Sequence, residues 1–314
     1  MSAAPAVSVV ICTLDRAGYL RGALRSLVGQ SLPGDGWEVL VVDNGSADDT
    51  PAVVRAFAEA LPLRYLVEPT LGLCHARDRG WREARGRLVA YLDDDAVAEP
   101  GWLAAVRVAF ARSPDVGVAG GPVRPIWEAP PPPWLSEHAA RALTIVDWPG
   151  GPKLLPDVGR EWLVGANMAA PRAVLEAVGG FHPRLDRIGR NMLSSGDVFL
   201  QQQLLERGWT VAYEPAMAVG HVVTPARLTK RWFRRRYYWQ GISDAVMQQI
   251  VQAPPPPRVA CVRDAARRAA GLLRSPAQLR ALLLPTDDPA RFTEKCFAWI
   301  AVGHVAGLLH AARR

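Results

Sequence analysis

The feature of this sequence that most restricts its fold is an alternation. Val7–Thr13 (VSVVICT) is a β-branched run of strand length, and behind it Leu20, Leu24, Leu27 and Val28 recur at helical spacing. The pattern repeats in "WEVLVVD", which runs to Asp43 and leads to Thr50 as a helix N-cap with Pro51 at the first helical position. A third unit pairs "LRYLVEP" with the helix-like "HARDRGWREARG". A fourth pairs "RLVAYLDDD" with a helix that the spacing in "EPGWLAAVRVAF" starts at Pro100. Strands alternating with helices through short loops predict an α/β fold with a mainly parallel sheet covered on both faces. Ligands of such sheets gather beyond the carboxyl ends of the strands, where Thr13, Asp43 and Asp93–Asp95 all fall.

The run Asp93-Asp94-Asp95 then needs a physical reason. If the strand continues through it, side chains alternate, so Asp93 and Asp95 share one face and Asp94 points to the other. Two unit charges ~4 Å apart at an effective dielectric of about 20 repel by about 4 kcal/mol, so an ionised pair requires a counterion. Mg²⁺ or Mn²⁺ supplies it economically, since either takes one or two protein carboxylates and fills its shell with water and substrate phosphates. A bare acidic pair elsewhere is usually a solvated turn or a helix cap. At the end of a buried strand, a cation and a diphosphate ligand are the expectation.

Composition narrows the class further. The chain has 314 residues, 49% of them hydrophobic, enough for a substantial core. Its 37 Lys+Arg against 30 Asp+Glu give +7, which favours acidic surfaces or phosphorylated ligands. Cys12, Cys74, Cys261 and Cys296 lie far apart, with neither metal-ligand spacing nor a disulfide framework, and predict a reducing, cytoplasmic compartment. The N-terminal segment lacks the basic region of a signal peptide. No Gly-x-Gly-x-x-Gly, Walker loop, His-Glu-x-x-His or nucleophile elbow supports a dehydrogenase, kinase, metalloprotease or esterase.

The segments "VSVVICTLDR", "VVDNGSADDT", "GLCHARDRGWREARGRLVAYLDDDAVAEPGWL" and "SSGDVFLQQQLLERGWTVAYEP…GHV" occur in an order that resembles family 2 glycosyltransferases of the GT-A fold, over roughly residues 7 to 240. The resemblance implies inverting transfer of a sugar from a UDP-, GDP- or dTDP-sugar, with Mn²⁺ or Mg²⁺ on the diphosphate. It implies that Thr13 and Asp43 contact base and ribose, that Arg77 approaches the donor, and that Asp93 and Asp94 belong to the donor-binding set. Asp93 and Asp95 would be the DxD metal ligands, with His221 in "VGHVV" as a third. An inverting displacement needs a base opposite the leaving group, and Asp197 in "LSSGDVFLQQQLLERG" is the candidate. The alternative for Asp197 is a helix N-cap, and for His221 a packed core histidine. The chain departs from the family in having Gly196 where Glu is usual, Phe199 where an acid is common, and Asp78 where Asn is frequent.

The expected organisation is a nucleotide-sugar half (1–120), an acceptor-side half of the same GT-A domain (121–225) and a C-terminal helical region (226–314). In that region Arg227, Lys230, Arg231, Arg234 and Arg235 form a basic stripe at helical spacing, read as a solvated face, a lipid-headgroup contact or a site for a phosphate-bearing acceptor. Nucleic acid is not expected, for want of an accompanying motif. Trp127, Trp134, Trp148 and Trp162 read mainly as packing. The tract Ala253–Pro257 reads as a stiff spacer. "CFAWIAVGHVAGLLHAA" falls short of a spanning helix and is expected to be a buried or dimer-packing helix, with peripheral contact at the inner membrane face as the alternative. The acceptor hydroxyl is left open between a lipid-linked glycan, a natural product and a protein. Two rival functions stay open. One is a haloacid dehalogenase-type phosphatase with Asp93 as nucleophile, for which Lys153 is the only plausible lysine between Asp93 and Asp197. The other is a non-catalytic basic membrane-surface binder.

Overall fold

A computed structural model describes residues 4–32, 34, 36–189, 191–252 and 256–311. The chain divides into two compact units, one comprising Met1–Ile126, Thr144–Pro183 and Gly196–Val222, the other Trp127–Leu143, Arg184–Ser195 and Val223–Arg314.

The first unit carries the alternating elements. In chain order they begin β1 (Val7–Thr13), α1 (Ala17–Leu27), β2 (Trp37–Asp43), α2 (Thr50–Ala56), β3 (Leu63–Val67), α3 (Leu73–Glu83) and β4 (Leu88–Leu92). There follow β5 (Ala96–Ala98), α4 (Trp102–Ala111), β6 (Val116–Gly120) and β7 (Val123–Trp127). After a short helix α5 (Glu137–Ala140) in the second unit come β8 (Lys153–Leu154), β9 (Asn167–Pro171), α6 (Arg172–Val178), α7 (Gly196–Glu206), β10 (Thr210–Tyr213) and β11 (Val219–Val223). The main sheet has the order β3-β2-β1-β4-β9-β6-β10-β8, and β5-β11-β7 form a small second sheet. Strands β3, β2, β1 and β4 are parallel, β9 is inserted antiparallel between β4 and β6, and β10 lies parallel to β6. The sheet is therefore mixed but mainly parallel. Its central strands are buried along nearly their whole length, as the β-branched runs require, while β3 at the edge is only half-buried.

Register positions the site. Thr13 pairs with Asp43 where β1 and β2 end together, and Val10 pairs with Tyr91, so the turn that follows β4 brings Asp94 within reach of the Thr13 hydroxyl. Several boundaries differ from the sequence reading. Asp49 precedes α2 and Thr50 is its first residue, because the Thr50 hydroxyl donates to Asp48 (2.6 Å) instead of capping. Helix α4 starts at Trp102, since Gly101 sits at φ 82° and holds Pro100 in the preceding turn. Val28 lies past the end of α1 in an extended conformation and is exposed.

The second unit contains α8 (Lys230–Val251), α9 (Arg258–Arg274), α10 (Pro276–Leu283) and α11 (Pro289–Ala311). Phe233, Tyr237, Gly241, Ala245 and Gln249, at steps of four, form the buried stripe of α8. They meet Phe292, Cys296, Gly303 and Gly307 of α11, and Trp134 packs on Phe233 and Phe292 with ring centroids 5.4 and 4.6 Å away. Trp134 is thus a packing residue, as expected. Arg227 and Leu228 lie in and just after a 3₁₀ turn ahead of α8, so the basic stripe on the helix begins at Lys230. Residues 253–255 of the proline tract lie outside the described residues. None of the described helices is long and apolar enough to cross a membrane.

Candidate active site

Strand β4 ends at Leu92, so the three aspartates form the turn that leads into β5 and do not alternate along a strand as the sequence reading supposed. The turn nevertheless sets Asp93 and Asp95 on a common centre and Asp94 apart from it. Asp94 accepts a hydrogen bond from the Thr13 hydroxyl (2.8 Å) and pairs with Arg16 Nη1 (3.1 Å). Asp95 pairs with Arg16 Nη2 at 2.5 Å and with His221 Nε2 at 3.2 Å. Asp93, half-buried, meets Arg77 Nη2 at 3.2 Å. Burial drives the Asp94 carboxyl up to about 7, Asp95 and Asp93 push the same way, and Arg16 and the Thr13 hydrogen bond oppose them.

His221 reaches this turn through register. Strand β11 pairs antiparallel with β5 so that His221 lies opposite Ala96, and the Val222 N–H donates to the Asp95 carbonyl (2.9 Å). One ligand atom each of Asp93, Asp95 and His221 lies within 4.8 Å of the others. His221 is buried and its Nδ1 has no hydrogen-bond partner among the described residues. An unpaired polar atom of this kind costs about 1–3 kcal/mol unless a ligand or water meets it. Two carboxylates and an imidazole packed together, with arginine counter-charges beside the carboxylates, fit a divalent cation of the Mn²⁺ type.

Asp43 closes β2 with its Oδ1 accepting the Ser46 N–H (2.8 Å) and its Oδ2 accepting the Tyr65 hydroxyl. Burial and then Asp43 raise the Tyr65 phenol far above its ordinary range. Asn44 is buried behind it, donates to the carbonyls of Glu68 and Thr70, and accepts the Gly72 N–H (2.7 Å), so it fixes the loop from which α3 starts. That helix carries Arg77 inward. The Arg77 guanidinium is buried, lies over the Phe181 ring (5.3 Å) and feels both Asp93 and Asp197, whose charges outweigh the burial that would lower its pKa. Gly165 passes directly over it: a Cβ there would come within 2.5 Å of Arg77 Nη2.

Asp197 is in the first turn of α7, one residue inside it, so it is not an N-cap. Its Oδ2 accepts the Gly165 N–H (2.9 Å) and its Oδ1 the N–H of Val198 (3.0 Å). Gly196 and Phe199 are buried in the same helix, Phe199 edge-on to His182. Asp78 turns to another task. Its Oδ1 accepts from Trp81 Nε1 and the Phe181 N–H, both at 3.0 Å, so it holds the turn at Gly180–Phe181. Lys153 is engaged by Glu161 (2.7 Å) and the Pro149 carbonyl (3.1 Å). Arg16, Asn44 and Gly165 were not singled out from the sequence. Arg16 carried a signal, being a cation three residues past the end of β1, but nothing in the chain says which acids it will meet.

An acidic and imidazole cluster at the carboxyl ends of a largely parallel α/β sheet lies where ligands of such sheets bind, and it could hold a metal ion. Residues 8–173 match the family described as glycosyl transferase family 2. The chain belongs to that family. Among curated proteins, it is similar to the glucosyl-dolichyl phosphate glucuronosyltransferase of Haloferax volcanii, with 26% identity over 262 residues covering 82% of each chain. It is 31% identical to the validoxylamine A glucosyltransferase of Streptomyces hygroscopicus subsp. jinggangensis over 56% of this chain and 47% of that one. Among solved structures, the mannosyltransferase PcManGT from Pyrobaculum calidifontis, in complex with GDP-Man and Mn²⁺, superposes with a TM-score of 0.60 at 23% identity, over 98% of this chain and 88% of the other. S. aureus TarS 1–349 in complex with UDP gives 0.54 at 14% identity, over 98% and 91%. The fold is GT-A, and the chain is a glycosyltransferase.

Proposed function

We propose that the enzyme is an inverting transferase that moves a sugar from a nucleoside diphosphate donor to a hydroxyl of a lipid-linked acceptor. The observation that carries the reading is the convergence of Asp93, Asp95 and His221 within 4.8 Å, next to the strand ends that bear Thr13 and Asp43. Those three residues would hold Mn²⁺ or Mg²⁺, and the imidazole favours Mn²⁺. When bound, the cation would neutralise the diphosphate that leaves with the nucleotide.

The protein's own groups supply the rest. Thr13 and Asp43 orient the base and ribose; Asp94, fixed by Thr13 and Arg16, keeps the acidic turn in shape. Arg77 contributes a permanent positive charge beside the donor and close to Asp197. Asp197 takes the proton of the attacking hydroxyl, and the N–H groups of Gly165 and Val198 fix its orientation. Residues 1–120 serve the nucleotide sugar and 121–225 include the acceptor side, while the helices beyond residue 226 share a unit with Trp127–Leu143 and Arg184–Ser195. GDP- and UDP-sugars are the first donors to try, from the ligands of the structural neighbours, with dTDP-sugars next. The lipid-linked acceptor follows the relative that matches over most of both chains, in preference to the natural-product relative matched over about half.

Purified protein incubated with each nucleotide sugar and Mn²⁺ should release nucleoside diphosphate, and with acceptor should give a product of inverted anomeric configuration by NMR. Phosphate release from simple phosphomonoesters, without diphosphate release, would replace this reading with the phosphatase, although Lys153 is already occupied elsewhere.

A further inference from the structure

The basic face of α8 is not used by the chemistry above, and it borders a cavity of about 450 Å³ within the helical unit. Lys230, Arg231, Arg234 and Lys295 line it together with Leu283 and Trp299, and no acidic residue lines it among the described residues. The cavity is built, not incidental. Lys295 donates to the carbonyls of Ala281, Leu282 and Leu284 at 2.7, 3.0 and 2.8 Å, and so closes the end of α10. Lys230 holds the next segment through the Thr286 carbonyl (2.6 Å) and Asp287. These two contacts fix Leu283 at the rim with 77% of its surface exposed and Leu284 beside it at 55%. Helix α10 buries none of its residues, although five of its eight are Ala or Leu. Arg231 and Arg234, three apart and therefore on one face, are exposed on α8, and the Arg234 guanidinium lies over the Trp299 ring at 5.7 Å. Burial lowers the Lys295 ammonium below its ordinary value, Cys296 opposes it, and Lys230 and Arg234 push the same way as burial.

We propose that this cavity and the leucines at its rim seat the helical unit on an anionic membrane surface, a lipid phosphate entering among the cations while Leu283 and Leu284 insert beside it. Cations ringing an apolar floor match a phosphate headgroup above an acyl chain. A second copy of the chain would bring the same positive rim against itself. The inference is independent of the acceptor's identity, because a bilayer free of acceptor serves as its ligand.

The test is co-sedimentation of the full chain with vesicles of phosphatidylcholine alone and with about one-third phosphatidylglycerol. Binding should require the anionic lipid, weaken as salt shortens the screening length, and fall by roughly tenfold or more in the Arg231→Glu/Arg234→Glu double variant. Leu283→Ser, which leaves every charge in place, should also reduce it, and unchanged circular dichroism checks folding of both. Equal binding to neutral vesicles, or indifference to the double variant, would overturn the proposal. So would inorganic phosphate raising the melting temperature through these residues with no vesicle binding, which would mark a free-phosphate site, or loss in the double variant of a dimer seen by light scattering with no vesicle binding, which would mark a contact between copies. Failure of these assays leaves the transferase reading intact, and failure of sugar transfer leaves this one intact.

Discussion

Arg16 and Arg77 divide the acidic turn between them, the first on Asp94 and Asp95, the second on Asp93 and toward Asp197. The roles of the carboxylates therefore separate by environment, and substitutions should separate them too. Asp197→Asn retains an oxygen for the Gly165 N–H and should leave donor affinity within about twofold while lowering turnover by about 10²-fold or more, read from initial rates and nucleotide titration. Asp78→Asn tests the opposite case, a carboxylate whose ionisation has no catalytic use. Burial raises its folded pKa above the unfolded value, so ionisation opposes folding, fully above the folded pKa and not at all below the unfolded one. Asn keeps both hydrogen bonds made by Oδ1 and loses the pair with the exposed Arg82. Urea denaturation should show the variant as stable as the parent or more so by up to about 1 kcal/mol at pH 7, with the gain shrinking towards pH 4. Residue types at strand ends are readable from the sequence, which is why Thr13, Asp43, Asp93 and Asp95 stand out there as candidates. Their partners are not readable, since a hydrogen bond such as Thr13 to Asp94 spans 81 positions and leaves no local pattern.

The elements that bring such partners together are set by register and close approach. His221 reaches Asp95 only because β11 pairs with β5, a three-residue strand too short to carry a periodic signal. Helical spacing of its cations discloses α8 and an uncharged apolar run discloses α11, but neither signal says what covers the buried face. Here the two helices meet at glycine: a Cβ on Gly303 would come 1.8 Å from the Tyr238 carbonyl oxygen, and one on Gly241 2.0 Å from that of Ile300. Gly303→Val should cost about 2–3 kcal/mol or more in chemical denaturation, because the helices cannot separate without uncovering Phe233 and Phe292. Gly271 in α9 has open space around its Cβ position, and Gly271→Ala should stabilise by about 0.5–1 kcal/mol through helix propensity alone. Opposite signs at two helical glycines would separate packing from propensity in one measurement.

Across the whole molecule the chain is interleaved: the helical unit takes in Trp127–Leu143 and Arg184–Ser195 as well as everything from Val223 on. A reading along the sequence divides a chain into consecutive stretches, as the expected 1–120, 121–225 and 226–314 do, and cannot see a unit assembled from separated pieces. The alternation of strand and helix was legible because a parallel sheet forces it, whereas the returns of the chain obey only tertiary packing. The first unit alone holds Asp93, Asp95 and His221, which we propose grip a cation that carries the donor diphosphate. Calorimetric titration of UDP and GDP into the protein, with and without Mn²⁺ and repeated on Asp95→Ala, tests that proposal most directly. Nucleotide binding should depend on Mn²⁺ in the parent and lose at least about 10²-fold in affinity in the variant. Equal affinity with and without the ion, or in Asp95→Ala, would contradict the account.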